Sequence, residues 1–236
     1  MTIANRSIMF QQEEAGWVNP YVTDGLIAMW DGEWNAGGGV HDPNATTWKD
    51  LIAGNDMSFV GTIEFGDQYC YFTTSTSYSN APLTNDMLSD LANGYTDQCV
   101  IVHQPIYSSG SANGIFAISR CGLVVRGTNL AILQPITPSG AGSYIYHSLS
   151  AGVYSVVADT SASLIYEDDD VISTQTGYVI TQSSTANGFT CNHRENYAQY
   201  GLGNLHIGCR RVYSRALTAA EIAANYAVDK ARFNLP

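Results

Sequence analysis

The stretch 204-NLHIGCRRVYSRALTAAEIAANYAVDKARF-233 changes period in its middle, and that change decides the fold. Up to Ser214 it alternates, with Leu205, Ile207, Cys209 and Arg211 set two apart, as a strand does. From Thr218 it becomes helical. Thr218 is a good N-cap, and Glu221 three residues on completes a capping box. Leu217 before the cap and Ile222 inside the helix form a hydrophobic staple. Ile222, Tyr226 and Phe233 fall near one face, with Asp229 interrupting the stripe. One short helix cannot build a core alone, so it is expected to lie against strands, closing an edge or one end of them.

Upstream, the chain reads as about a dozen short strands with Gly, Asn and Pro punctuation. The run 24-DGLIAMW-30 leads into the Gly-rich loop 31-DGEWNAGGGVHDPNATT-47. The segment 48-WKDLIAGNDMSF-59 turns at Gly54-Asn55, and 62-TIEFG-66 with 68-QYCYFT-73 makes a hairpin. The runs 98-QCVIVHQPI-106, 114-GIFAIS-119 and 121-CGLVVRG-127 suit buried strands. They are followed by 128-TNLAILQPI-136, the hairpin pair 152-GVYSVVADT-160 and 162-ASLIYED-168, and 176-TGYVIT-181. Regular spacing with no internal repeat argues for an all-β, two-sheet antiparallel sandwich with a short C-terminal helix. Residues 1–23 lack sustained periodicity and read as an N-terminal arm, leaving 24–236 as one domain.

Composition narrows the function classes. Ten basic against 21 acidic residues give a net charge of −11 over 236 residues, which repels phosphate backbones and excludes a nucleic-acid partner. No apolar run is long enough to span a membrane. The N-terminus has no apolar core of a secretory signal, so the chain is expected to be made in the cytosol. Five widely spaced cysteines with no CxxC pair read as structural thiols.

With those residues in place, the closing segment resembles that of laminin-G-like, concanavalin A-like jelly-roll domains. The matching residues are Arg211, Tyr213, Arg215, Ala216, Leu217 and Glu221. Gly25, Leu26, Ala28 and Trp30 match the family's opening strand; Trp48, Asp50, Gly54 and Asn55 match in part a second element. Where the family often has a hairpin with Asp-Gly at its turn, 164-LIYEDDDVI-172 has no Gly. The resemblance covers roughly residues 24–233 and implies a jelly roll of the type carried by gut bacteria and their phages. It implies no single activity, because this fold hosts lectins, hydrolases and adhesion modules.

Catalytic members resemble one another in a Glu-x-Asp-x-x-Glu strand motif that is missing here. Glu167-Asp168-Asp169-Asp170 is followed by Ile172 and Ser173 where a second Glu is needed. A glycosidase needs two carboxyl groups about 5 Å apart, or wider for inversion. Nor is there a Gly-x-Ser-x-Gly elbow. The chain is therefore expected not to be an enzyme, with glycoside hydrolysis as the alternative. Calcium would sit at Glu167–Asp170 or at Asp31 with 41-HDPN-44, though these read more simply as a solvated hairpin tip and a turn. Glycan binding needs aromatic faces and planar polar groups. Two long loops offer them: Trp34 and Asn35 in one, Asn192, His193, Glu195, Asn196, Tyr197 and Tyr200 in the other. The tyrosines could equally be local core.

The expected function is a glycan-binding or adhesion module whose partner is a glycan or cell-surface polysaccharide. A cytosolic origin combined with a lectin-like fold points to a virion or cell-surface location. The arm would then bind a virion protein, as a decoration, fibre or adsorption protein would. The same location fits a purely structural decoration protein.

Overall fold

The computed structural model describes residues 18–103, 112–118, 121–126, 132–135, 145–159, 162–176, 188–193 and 201–236. The chain runs through β1 (Leu26–Asp31), β2 (Thr47–Trp48), β3 (Met57–Val60), β4 (Ile63–Phe65), β5 (Cys70–Phe72) and β6 (Tyr78–Ala81) to a short helix, α1 (Asn85–Leu91). Next come β7 (Gly94–His103), β8 (Ala112–Ile118), β9 (Cys121–Arg126), β10 (Ile132–Pro135) and β11 (Ile145–Tyr146). Then follow β12 (Gly152–Asp159), β13 (Ala162–Glu167), β14 (Asp170–Thr176), β15 (Phe189–Cys191), β16 (Leu205–Tyr213) and α2 (Ala219–Phe233). The expected run 176–181 lies almost wholly outside the described residues. Helix α1, capped by the Thr84 side chain on Met87 N, was not expected from the sequence.

The strands form two sheets of the expected antiparallel jelly-roll sandwich. The first has the order β14-β13-β12-β7-β16-β5-β4, with β1 also on β16; the second has β11-β10-β9-β8-β15-β6-β3-β2. Strand β16 organises the first sheet. Along one side it pairs with β7; along the other, its first half pairs with β5 and its second half with β1. Between the sheets lies a core that includes Trp30, Trp48, Phe72, Tyr95, Phe116, Tyr154 and Phe189. Cys70, Cys99, Cys191 and Cys209 are buried free thiols, and burial pushes each of them above the ordinary thiol range.

The alternation in β16 is not continuous. Its register shifts between Ile207 and Arg210. Leu205 and Ile207 therefore face the inter-sheet core, while Cys209 faces the outer side of the sheet. Arg210 and Arg211 then point to opposite faces, as successive strand residues must. Such a two-for-one insertion is a bulge. Gly208 sits in it because a Cβ there would lie 2.6 Å from the Phe233 ring.

Arg210 is fully buried in the inter-sheet core. Its Nε and Nη2 donate to Asp97 at 3.0 and 2.7 Å, Nη1 to the Thr190 carbonyl at 2.8 Å, and Nη2 to the Ala117 carbonyl at 2.9 Å. Nη1 also reaches Cys191 Sγ at 3.5 Å. All five guanidinium protons have acceptors. Burial pushes the Asp97 carboxyl up, and Arg210 pulls it back down.

Helix α2 covers the outer face of the first sheet rather than an edge or end. Leu217 and Ile222 pack with Leu26, Val157, Tyr166 and Tyr213; Phe233 and Leu235 pack with Met29, Val100, Val153 and Cys209. The capping box is formed as expected, with Thr218 Oγ1 accepting from Glu221 N and Glu221 accepting from Thr218 N. Asp229 does not interrupt the buried face; it is part of it. Arg211, 0% exposed, donates to both Asp229 oxygens at 2.8 and 2.5 Å, and the Tyr21 hydroxyl donates at 2.7 Å. Asn225 is likewise buried, giving its amide protons to Gln98 and the Tyr213 hydroxyl and accepting from Val22 N. The last residues of the expected arm thus belong to the folded unit: Tyr21 is 5% exposed beneath α2.

The Trp48-x-Asp50 element has a physical reason too. Asp50 accepts from the backbone N–H groups of Met29, Ile52, Ala53 and Asn55, tying the loop after β2 onto β1. The turn between β13 and β14 falls on Asp168 and Asp169, and Asp168 takes the left-handed conformation (φ 59°) that a Gly would otherwise supply.

Asp229→Ala leaves Arg211 buried without its carboxylate and is expected to cost about 3–5 kcal/mol in urea denaturation, with Arg211→Met plus Asp229→Leu recovering most of it. Thr218→Ala, which removes only the cap, is expected to cost about 1 kcal/mol.

Candidate functional site

The two loops expected to hold a ligand attach to different layers. In the first, Asp31 is buried at the end of β1 and accepts from Glu33 N, while its carboxylate is bridged by Arg232 at 2.8 and 3.1 Å. The Arg232 guanidinium lies 4.0 Å from the centre of the Trp34 ring. Trp34 is therefore half-buried against the end of α2 as a cation–π partner. Asn35 is 0% exposed; its amide donates to the Asp42 carbonyl and accepts from Asp42 N, closing the loop on itself. Fully buried, Asn35 presents no surface to a ligand.

In the second loop, Asn192 is 1% exposed and holds φ 57°. Its side chain donates to the carbonyls of Ser77 and Leu202 at 2.7 and 2.9 Å and accepts from Leu202 N. Asn192 thus clamps the two ends of the loop together instead of projecting from it. Gly201 is needed at the clamp, since a Cβ there would meet the Asn192 carbonyl at 2.4 Å. His193 stacks on Tyr78 of β6 at 4.3 Å, and burial lowers its pKa. Glu195, Asn196, Tyr197 and Tyr200 lie outside the described residues. Trp34 and His193 are not brought together: one packs with the helix-covered face of the first sheet, the other on the second sheet.

Several of the acidic candidates are occupied by structural partners, while Asp169 and Asp170 are exposed at the hairpin tip. Glu167 accepts from the Tyr154 hydroxyl at 2.6 Å and Ser150 Oγ at 3.2 Å, and pairs with His147. Asp168 accepts from Val153 N. Asp42 accepts from Asn44 N. Among the described residues, no group of three or more His, Cys, Asp or Glu side chains is placed to hold a metal ion.

One surface cluster escapes sequence reading. Beyond α2, on the outer side of the first sheet, a row of directly paired residues crosses four adjacent strands. Glu64 of β4 opposes Tyr71 of β5, Tyr71 opposes His206 of β16, and His206 opposes His103 of β7. At roughly 4.8 Å between strands the row spans about 14 Å. Tyr71 and His206 are stacked, 4.3 Å apart and 7° from parallel. Tyr69 meets His206 and His103 edge-on at 4.8 and 5.6 Å, and the two histidines meet edge-on at 4.8 Å. With one Tyr71 face on His206, its other face is turned towards β4, where Glu64 is exposed.

The cluster is held from below. Cys70 and Phe72 anchor the neighbouring positions of β5 in the core. A Cβ on Gly66 would lie 2.4 Å from the Tyr69 ring, and one on Gly32 would lie 2.4 Å from its Cα, so both glycines let Tyr69 sit where it does. Gln68 donates to the Arg232 carbonyl, pinning the β4–β5 turn to the end of α2. Burial, reinforced by His103, lowers the His206 pKa to about 4, against a hydrogen bond to the backbone of Asn204. The ring is neutral at pH 7. The only sequence sign of this cluster is the Tyr-x-Tyr spacing of 69 and 71, which puts two aromatics on one face once the register is known.

No protein-family model matches the chain, and no curated protein matches it either. Solved structures do. The fold is similar to Trypanosoma rangeli sialidase in complex with sialic acid, at 12% identity and a TM-score of 0.66, over 90% of this chain and 34% of that one. It is also similar to the binding domain of botulinum neurotoxin serotype D/C, at 11% identity and a TM-score of 0.61, over 86% of this chain and 52% of that one. A third is botulinum neurotoxin type C, which depends upon interaction with two ganglioside molecules to get into cells, at 11% identity and a TM-score of 0.63, over 86% of this chain and 51% of that one. The chain thus spans about a third of the sialidase and half of the toxin chains. At such identities the likeness shows the fold alone, a β-sandwich.

The depressed His206 pKa makes a prediction about stability. The folded state binds fewer protons than the unfolded chain between pH about 6.5 and about 4, so stability rises with pH across that window and is lost on acidification through it. In urea denaturation at pH 7.0, 5.5 and 4.5, His206→Gln is expected to show a shallower loss than the parent.

Proposed function

We propose that this chain is a glycan-binding module without catalytic activity, and that its sugar site is the row Glu64, Tyr71, His206 and His103. The half-buried Tyr71 ring, paired directly with exposed Glu64 on the outer side of the sheet, carries this reading. A pyranose ring offers a C–H face to an aromatic ring and hydroxyl donors to a carboxylate, and here both partners stand side by side on rigid strands. A site on paired strands needs little ordering when it binds. The sandwich fold, shared with sialidases and toxin binding domains, agrees with this reading, as does the laminin-G-like resemblance.

The carboxylates support binding without hydrolysis. Among the described residues, buried Asp31, Asp97 and Asp229 are each committed to an arginine, and Asp50 to backbone N–H groups. The location that fits is a virion or cell surface. Residues 1–17, outside the described structure, would attach the module there, starting from the docked Tyr21.

A glycan array probed with the intact chain is expected to give a specific set of hits, and Tyr71→Ala is expected to weaken them by about tenfold or more while the variant keeps the parent's circular dichroism spectrum and cooperative unfolding. Incubation with the bound glycans is expected to release no reducing ends. An array with no hits, hits unaffected by Tyr71→Ala, or release of reducing ends would each overturn the proposal.

A further inference from the structure

The charges around the aromatic row define what kind of sugar it accepts. Glu64 is a member of the row, and Asp67 lies exposed in the turn joining β4 to β5. A positive charge would have to come from lysine or arginine; Arg126 stands on β9 of the second sheet, and the lysines and arginines whose side chains are described are committed elsewhere. Arg210 and Arg211 are buried on Asp97 and Asp229. Arg215 is paired with Asp24 and Glu221, and Lys49 with Asp56. Arg232 lies on Asp31 and Glu33, and Lys230 donates to the Pro236 carbonyl. His206, in the middle of the row, carries no charge at neutral pH.

We infer that the Tyr71 site selects uncharged sugars and rejects those bearing a carboxylate. This rests on the reading of the row as a glycan site and adds its ligand class. An acidic sugar stacked on Tyr71 brings its carboxylate against Glu64 with no described cation to offset it. Like charges at such range are strongly unfavourable, and the whole protein, at −11, adds a field of the same sign. Selectivity then comes from a repulsive element placed beside an attractive one. Sialic acid, the ligand named for the sialidase of similar fold, belongs to the rejected class.

The test uses matched pairs of neutral oligosaccharides with and without a terminal sialic acid, measured with the intact chain at low and high salt. Expected are affinities at least about tenfold weaker for the sialylated member, with the gap narrowing as salt screens it. Glu64→Gln should narrow the gap and Glu64→Lys should close or invert it, while both keep the parent melting temperature, since Glu64 is exposed on an edge strand. Equal or tighter binding of the sialylated member by the parent chain, or a gap untouched by Glu64→Lys, would overturn the inference. Loss of that binding in Tyr71→Ala would still leave the glycan site standing. Failure of every oligosaccharide to bind would instead overturn the site itself.

Discussion

A guanidinium in the middle of a β-sandwich must find acceptors for every proton or it disrupts the core around it. Arg210 finds them on both sheets: a carboxylate from β7 in its own sheet, and carbonyls from β15 and β8 in the other. The aromatic rings of Trp30, Phe116 and Phe189 lie 5.6–5.8 Å from it. Buried pairs of this kind add little to net stability, because desolvation offsets most of the attraction. What the pair contributes is uniqueness. If either sheet slipped by one residue, the acceptors would face the wrong side and five protons would lose their partners.

Its neighbour does the same work on the other face. Arg211 reaches outward to Asp229 and so fixes where α2 lies, and α2 in turn carries Arg232 to Asp31 and the Trp34 loop. Two consecutive arginines on one strand thus join three layers. The Gly208 bulge makes this possible, since it turns the side chains after it to the faces where those partners wait.

Local chemistry was legible in the sequence and long-range pairing was not. The capping box, the staple, the β4–β5 and β12–β13 hairpins and most of the strands are visible because each depends on neighbours a few residues away, whereas β6, β11 and β15, the last inside a polar stretch, are not. Asp229 reads as a flaw in the helix because its partner, Arg211, lies in another element. The bulge was invisible because Leu205, Ile207, Cys209 and Arg211 keep an unbroken spacing in sequence even though the strand turns over between them. Asn35 and Asn192 read as ligand groups for the same reason: polar residues in long loops suit either recognition or self-closure, and only geometry separates the two. The row of Glu64, Tyr71, His206 and His103 is assembled by register across four strands, and no window of sequence holds more than two of its members. Fold likeness supplied the architecture and left the site to be argued from side chains.

Tyr21 and Leu235 share one small cluster under the helix, and the Arg232 guanidinium donates to the Tyr21 hydroxyl at 2.6 Å. Tyr21 and Leu235, near the two ends of the described sandwich, are therefore next to each other. A unit whose ends meet can be spliced into a surface loop of a larger protein, or strung in tandem, without stretching its host. Tyr21 and Leu235 both lie on the helix-covered face, so the geometry of this one cluster makes the sandwich a transplantable part.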